Sequence, residues 1–411
     1  MRALSNPASR LARVQVVVVG SGAREHALAW RLVQSPGLTE LHAAPGNPGI
    51  AALGRCHPVR ADDPDGLLSL ALTLDADLVV IGPEAPLVAG VSDVLRHNGI
   101  AVFGPSAEAA RIEGSKSFAK DVLDAAGVPT AETLSVARAP CVVKADGLAS
   151  GKGVFVCRTS EEVDEALRAM SAFGGEFVIE ELLEGEEVSL FALCDGRRAV
   201  PLGAARDFKR IGDGDQGPNT GGMGAFSPVS ALDDVESLVE QIHQPVVDEL
   251  ARRGTPFVGC LFAGLMLTPE PKVLEFNARF GDPETQVLMP RFDGDLLLAL
   301  FAAAGGDLSG VEFWMSDEAA VTVVIAAPDY PARSDYAGAE IAGIEAAEAT
   351  GALVFHGGTA VRDGAVVTNG GRILSVTATG ETIGEARSSA YDAVELISFD
   401  GAQYRRDIAH A

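Results

Sequence analysis

Long apolar runs are missing from this 411-residue chain: none approaches the ~20 residues that a membrane span needs. The opening run Val14–Val19 is short and interrupted by Gln15, which argues against a secretory signal. Cysteine is scarce. Five residues, at 56, 141, 157, 194 and 260, are scattered, odd in number and without C-x-x-C spacing. That fits a reduced, cytoplasmic setting and argues against a zinc site. Positive charge is also in short supply: 32 Lys and Arg against 57 Asp and Glu give a formal charge of −25. Nucleic acid and membrane are therefore disfavoured as partners, and any phosphate site must be built locally from a few cations. No internal repeat is found. Residues 1–13 lack acid but carry Arg2, Arg10 and Arg13, a composition shared with transit peptides, and are expected to form a disordered extension.

What is present describes an ordinary globular protein, with 47% hydrophobic and 22% charged residues. Its length suits two or three domains with ample core. Val14–Val19, Leu38–Ala44, Leu78–Ile81 and Ile100–Phe103 read as strands alternating with helices, a doubly wound α/β pattern to about residue 112. The turns at Gly20–Gly22, Pro45–Gly49 and Gly82–Pro86 follow strands, where open parallel sheets bind ligands. A helix over Lys116–Ala126 stops at Gly127-Val128-Pro129. Strands Cys141–Lys144, Val154–Cys157 and Phe177–Glu180, with a helix over Glu161–Met170, form a small α+β unit. Residues 203–228 contain seven Gly and little apolar periodicity, and are expected to be a long functional loop. A helix (Leu232–Arg252) and strands Gly259–Leu267 and Val273–Asn277 follow. The chain then turns β-rich from Ala319, closing with a helix over Ile383–Ile397.

The chemistry concentrates in a few segments. In Leu274–Glu284, period-two alternation puts Glu275 and Asn277 on one strand face. A carboxylate beside an amide carbonyl is a hard oxygen pair of the kind Mg²⁺ accepts alongside phosphates. Arg279, further along, adds a permanent cation for a phosphoryl or carboxylate group. Gly20-Ser21-Gly22-Ala23-Arg24-Glu25 fails the dinucleotide fingerprint, because Glu25 stands at the third glycine position and no ribose-binding acid ends the second strand. It reads either as a sugar-phosphate turn or as a merely tight turn. Lys144–Gly153 resembles a Walker A loop but has three residues, not four, between Gly147 and Gly151, and Gly153 follows Lys152. It reads as a glycine-rich flap between two antiparallel strands, with Lys144 and Lys152 placed for phosphates. The acidic stretch Glu180–Glu187 reads either as an acidic hinge between strands or as a nucleotide contact, its Glu181–Leu183 backbone suited to an adenine edge and Glu187 to ribose hydroxyls.

Together, Gly20–Ala27, Gly82–Leu87, Gly114–Lys120, Lys144–Gly153, Gly217–Pro228 and Asn277–Thr285 resemble the phosphoribosylamine–glycine ligase (GAR synthetase) family of the ATP-grasp superfamily, from about Val14 to Ala411. The resemblance implies α/β and α+β architecture. An amino-terminal doubly wound parallel domain (14–112) would precede an ATP-grasp domain (113–315), with a small lid subdomain at about 134–203 and a carboxy-terminal β-rich domain (316–411). It implies Mg²⁺ or Mn²⁺ on Glu275 and Asn277, and ATP on Lys116, Lys144, Gly151, Lys152, Gly153, Glu181, Leu183 and Glu187. The acceptor would meet Gly22, Asn47, Glu84, Asp207, Lys209, Asn219, Thr220 and Gly221. Asp282 or Glu284 would hold the glycine ammonium, and Arg279, Lys144 and Lys152 would serve the chemistry. Implied partners are the small molecules ATP, glycine and 5-phosphoribosylamine, in a cytoplasmic monomer or weak homodimer. The alternative is an ATP-grasp carboxylate–amine ligase with another acceptor. Three departures stand out: Phe208 replaces the family's usual His, Ala23 replaces a usual Gly, and Thr130–Pro140 is too short for the helix usually found there.

Overall fold

The protein is described from a computed structural model covering residues 13–147, 153–232 and 234–410. Most of the expected extension, residues 1–12, and the flap tip, 148–152, lie outside the described residues. Strands β1 (Val14–Gly20), β2 (Leu38–Pro45), β3 (Arg55–Cys56), β4 (Leu78–Ile81) and β5 (Ala101–Phe103) form a parallel sheet in the order β3-β2-β1-β4-β5. Val16–Val19 and Leu78–Ile81 are buried, as a parallel sheet covered on both faces requires. The strand order switches at β1 and β4, which pair Val19 with Ile81. The turns after Gly20 and Ile81 therefore open side by side at the place where such sheets take ligands.

A second, small sheet has the order β7-β6-β8, from β6 (Cys141–Ala145), β7 (Val154–Cys157) and β8 (Phe177–Glu181). Cys141, Val143 and Ala145 pack against Val163, Ala166 and Met170 of the Ser160–Met170 helix in a core of their own. Alternation sends Lys144 and Glu180 to the opposite face. No helix lies between Gly127 and Pro140, in keeping with the short sequence there. This unit's strands end at Glu181, well before the expected limit near 203.

The remaining strands are β9 (Glu186–Asp195), β10 (Ala199–Asp207), β11 (Arg210–Gly212), β12 (Gln216–Asn219), β13 (Gly224–Ser227), β14 (Val258–Leu267), β15 (Lys272–Asn277), β16 (Phe292–Gly294), β17 (Phe313–Met315), β18 (Ala319–Ala326), β19 (Ala337–Glu340), β20 (Leu353–His356), β21 (Thr359–Arg362), β22 (Ala365–Asn369) and β23 (Arg372–Gly380). Eight of them build one sheet, β15-β14-β9-β10-β13-β18-β23-β20. The long loop expected over 203–228 is therefore corrected. Most of it is strand: β10 ends there, β11 and β12 form a hairpin, and β13 pairs with β18 from Gly224↔Val323 to Ser227↔Ala320. Backbone pairing, not apolar alternation, holds these glycine-rich strands. The carboxy-terminal strands thus extend the central sheet across the expected boundary at 316. An apolar helix, Leu296–Ala304, packs between β5 and β9 and ties the amino-terminal sheet to the central one.

Candidate active site

Glu275 and Asn277 lie near the end of β15, on one face of an edge strand. Burial pushes the Glu275 carboxyl up, but Lys116, Lys209 and Lys144 outweigh it and hold the group at about 2. Lys116, at the start of the Lys116–Ala126 helix, reaches Glu275 Oε2 at 3.4 Å. The Asn277 side chain is 9% exposed and has no hydrogen-bond partner among the described residues. An ionised carboxylate and an unpaired amide oxygen fit a hard divalent cation that takes its other ligands from phosphate and water. No cluster of three or more His, Cys, Asp or Glu suited to a metal occurs among the described residues.

Facing them across the small sheet, Lys144 Nζ lies 2.5 Å from Glu180 Oε2 and donates to the Leu274 carbonyl at 2.8 Å. Glu180 also holds Lys120, at 2.9 Å. Asp146, just after β6, accepts from the Lys116 N–H (2.6 Å) and the Ser117 hydroxyl (2.6 Å). It thereby fastens the root of the flap to the helix that carries Lys116. Glu181 pairs with Lys272 at 2.7 Å, while Leu182 and Leu183 line a groove with Pro140 and Arg158. Gly153 is described and its carbonyl accepts from the Ala145 N–H at 2.8 Å. Gly151 and Lys152 lie outside the described residues.

Arg279 is gripped on two sides, by Glu84 and Glu113, each at 3.3 Å. Burial lowers its affinity for the proton, but Glu113 and Glu84 outweigh that and hold it charged. Glu84 meets Arg279 through Oε2, and its side chain is part-exposed. Glu113 also accepts from the Ala278 N–H at 2.8 Å, fixing the start of the loop that carries Arg279.

On the amino-terminal side, a cavity of about 510 Å³ is lined by Gly22, Asn47, Asp282, Tyr330, Thr359 and Arg372, among others. The two readings of the Gly20–Gly22 turn meet here. Gly22 faces the cavity, yet its N–H donates to Glu25 at 2.6 Å, and the Glu25 carboxylate lies against the turn at Gly20 and Gly22. Asn47 shapes the wall instead of offering a free amide. Its side chain donates to Ser21 and His356 carbonyls (2.9 and 2.7 Å) and caps the next helix at Ile50 (2.9 Å). Thr220 is likewise internal to its loop, donating to the Lys209 carbonyl at 2.9 Å and accepting from Gly222. Gly222 must be glycine: φ is +105°, and a Cβ would sit 2.4 Å from Pro283 Cδ. Asn219 pairs with Arg210 across the β11–β12 hairpin.

Lys209 bonds Glu187 and lies 3.8 Å from Asp207. Residues expected on two different substrates are thus neighbours of each other. Burial, with Glu284 and Glu187 close by, outweighs Lys209 and pushes Asp207 up to about 7. Asp282 is neutralised by Arg372 at 3.0 Å, whereas Glu284 has no ion-pair partner among the described residues, accepts from the Ser189 hydroxyl at 3.1 Å, and is pushed up by burial. Phe208 lies in the carboxy-terminal core, with the Arg405 guanidinium 5.0 Å above its ring. At that position the chain has a packing residue, not a polar one.

Glu113, Lys120, Asp146, Glu180, Tyr330 and Arg372 were not singled out by sequence. Lys120 had a signal, one helical turn from Lys116; the others act through partners distant in the chain.

A three-stranded lid beside a central antiparallel sheet, with lysines and a carboxylate–amide pair between them, defines an ATP-grasp protein. Biotin carboxylase from Campylobacter jejuni, 15% identical, shares the fold with a TM-score of 0.67 over 95% of this chain and 92% of that one. Closer similarity is specific. Profiles of the phosphoribosylglycinamide synthetase N domain, ATP-grasp (A) domain and C domain match residues 14–113, 114–285 and 320–411. The chain belongs to the phosphoribosylglycinamide synthetase family. It is 52% identical to a phosphoribosylamine–glycine ligase from Streptomyces coelicolor, covering 96% of this chain and 99% of the relative. The crystal structure of the Thermotoga maritima phosphoribosylamine–glycine ligase, 37% identical, matches with a TM-score of 0.82 over 96% of this chain and all of that one.

Proposed function

We propose that the chain is an ATP-dependent ligase that joins glycine to 5-phosphoribosylamine, giving glycinamide ribonucleotide, ADP and phosphate in de novo purine biosynthesis. The observation that carries this is identity of 52% to a phosphoribosylamine–glycine ligase over nearly the full length of both chains. That length includes the amino- and carboxy-terminal walls of the cavity, which favours this acceptor over another.

In this reading a glycine carboxylate oxygen attacks the γ-phosphorus of ATP, the bond to the β,γ-bridging oxygen breaks, and ADP leaves. The phosphoribosylamine nitrogen then attacks the acyl carbon of glycyl phosphate. The carbon–oxygen bond to phosphate breaks, phosphate leaves with the electron pair, and the nitrogen loses a proton. Such chemistry needs positioning and charge neutralisation above all. We assign those tasks to Lys144, Lys152 and Arg279, and nucleotide contacts to Lys116, Gly151, Gly153, Glu181, Leu183 and Glu187. Lys144 would exchange Glu180 for a phosphate. Glu275 and Asn277 would hold Mg²⁺ or Mn²⁺, which when bound neutralises charge on the phosphate oxygens. Glu284 is the better choice for the glycine ammonium, because Asp282 already has its cation. The flap would exclude water from the acyl phosphate. Among the described residues no helix is long and apolar enough to cross a membrane, and we place the enzyme in the cytoplasm. Mass spectrometry of a reaction holding ATP, glycine and phosphoribosylamine should find glycinamide ribonucleotide. A different amide, or none, would refute the reading.

A further inference from the structure

Gly221 is held from two sides by carboxy-terminal residues. Its N–H donates to the Tyr330 hydroxyl at 2.8 Å, and its carbonyl accepts from Arg372 Nη1. The same guanidinium reaches Asp282 twice, Nη1 to the backbone carbonyl at 3.0 Å and Nη2 to Oδ2 at 3.0 Å. Arg372 thus joins the loop between β12 and β13 to the loop after β15, and Pro283 packs against Gly222 beside that junction. Gln286 takes the other Asp282 oxygen at 2.8 Å. Asp282, Tyr330 and Arg372 all line the cavity, and Arg372 is the one basic residue in that lining. Arg372 is the foremost of the charges that offset the Asp282 carboxylate, ahead of Arg24 and Arg279, and without it that wall would repel a phosphate-bearing molecule more strongly.

We infer that Arg372 and Tyr330 are positioning residues for the acceptor: they fix the Gly221 peptide and Asp282 in the geometry that receives phosphoribosylamine, and so set its affinity apart from that of ATP and glycine. This rests on the reading of the cavity as the phosphoribosylamine site. A lysine at 372 keeps the charge, but its single ammonium cannot serve the Asp282 carboxylate, the Asp282 carbonyl and the Gly221 carbonyl together as a planar fork does. Tyr330→Phe removes only the hydroxyl that accepts from Gly221, and leaves the ring in place.

Steady-state kinetics on the full chain test this, with each substrate varied in turn for wild type, R372K and Y330F. The KM for phosphoribosylamine should rise about tenfold in R372K and severalfold in Y330F, while KM for ATP and glycine stays within about twofold. Thermal midpoints of both variants should stay within a few degrees of wild type. Equal changes in all three KM values, an unchanged phosphoribosylamine KM, or kinetic losses that merely follow lowered thermal midpoints would overturn the inference while the functional reading stands. A wild-type chain that forms no ADP with phosphoribosylamine and glycine would overturn that reading and this inference with it.

Discussion

Arg279 sits between Glu84 and Glu113 with side-chain exposure of 16%, so its geometry is imposed by two carboxylates from separate helices. Arg279→Lys keeps the charge, but one ammonium cannot span both partners, and either the part-exposed Glu84 or the buried Glu113 loses its cation. We expect ligation to fall while nucleotide binding persists, measured by turnover beside ATP-analogue affinity. Lost nucleotide affinity with normal turnover at saturating ATP would remove Arg279 from the reacting groups. Glu275→Gln keeps shape and deletes the one carboxylate assigned to the metal. It should raise the metal concentration required and slow turnover roughly 100-fold, about 3 kcal/mol. Unchanged metal dependence would dismiss the assignment. At this scale the sequence was readable where period two alone decides, as for Glu275 and Asn277. It was not readable where a charge finds its partner in three dimensions: nothing near Arg279 in sequence names Glu113, 166 positions away.

Elements were legible in proportion to their apolar pattern. β4, β7 and the Lys116–Ala126 helix fall where their periodicity and stop signals put them. β11–β13 did not show, because strands such as Gln216–Asn219 are largely exposed, carry glycine and proline, and owe their form to pairing with a neighbour. The link between flap and helix was equally hidden. Ser115 caps the Lys116–Ala126 helix through the Phe118 N–H at 3.2 Å, and Asp146 binds the Lys116 N–H from 30 residues away. Asp146→Ala should therefore cost about 1–2 kcal/mol of stability and raise the KM for ATP by loosening both Lys116 and the flap root. Urea unfolding and ATP-dependent kinetics check the two effects. A destabilised variant with normal ATP use would confine Asp146 to a cap.

At the scale of the whole molecule, the amino-terminal domain and the carboxy-terminal strands are joined by groups that must stay neutral. His26 Nδ1 accepts from the His356 N–H at 2.9 Å, linking the first helix to β20. Burial, and then His356, pushes His26 down to about 3, and burial pushes His356 down to about 4. Both folded values lie below the ordinary 6.5. As pH falls below that value the unfolded chain takes up protons that the folded chain refuses, so stability declines toward pH 4 by up to ~1.4 kcal/mol per pH unit for each histidine. Urea midpoints measured from pH 7.5 to 5 should fall, and fall less in H356Q; the same slope in both would show that the pair is not the cause. Three domains read from sequence form one continuous structure because β13 pairs with β18 and the cavity takes its wall from amino- and carboxy-terminal segments alike.

The central claim is that glycine is activated as an acyl phosphate between the lysines of the lid and the cavity. Glycine labelled with ¹⁸O at both carboxylate oxygens tests it most directly, by mass analysis of the phosphate released during ligation. One ¹⁸O is expected in each phosphate and one in the amide product. Unlabelled phosphate, with amide formed, would contradict it.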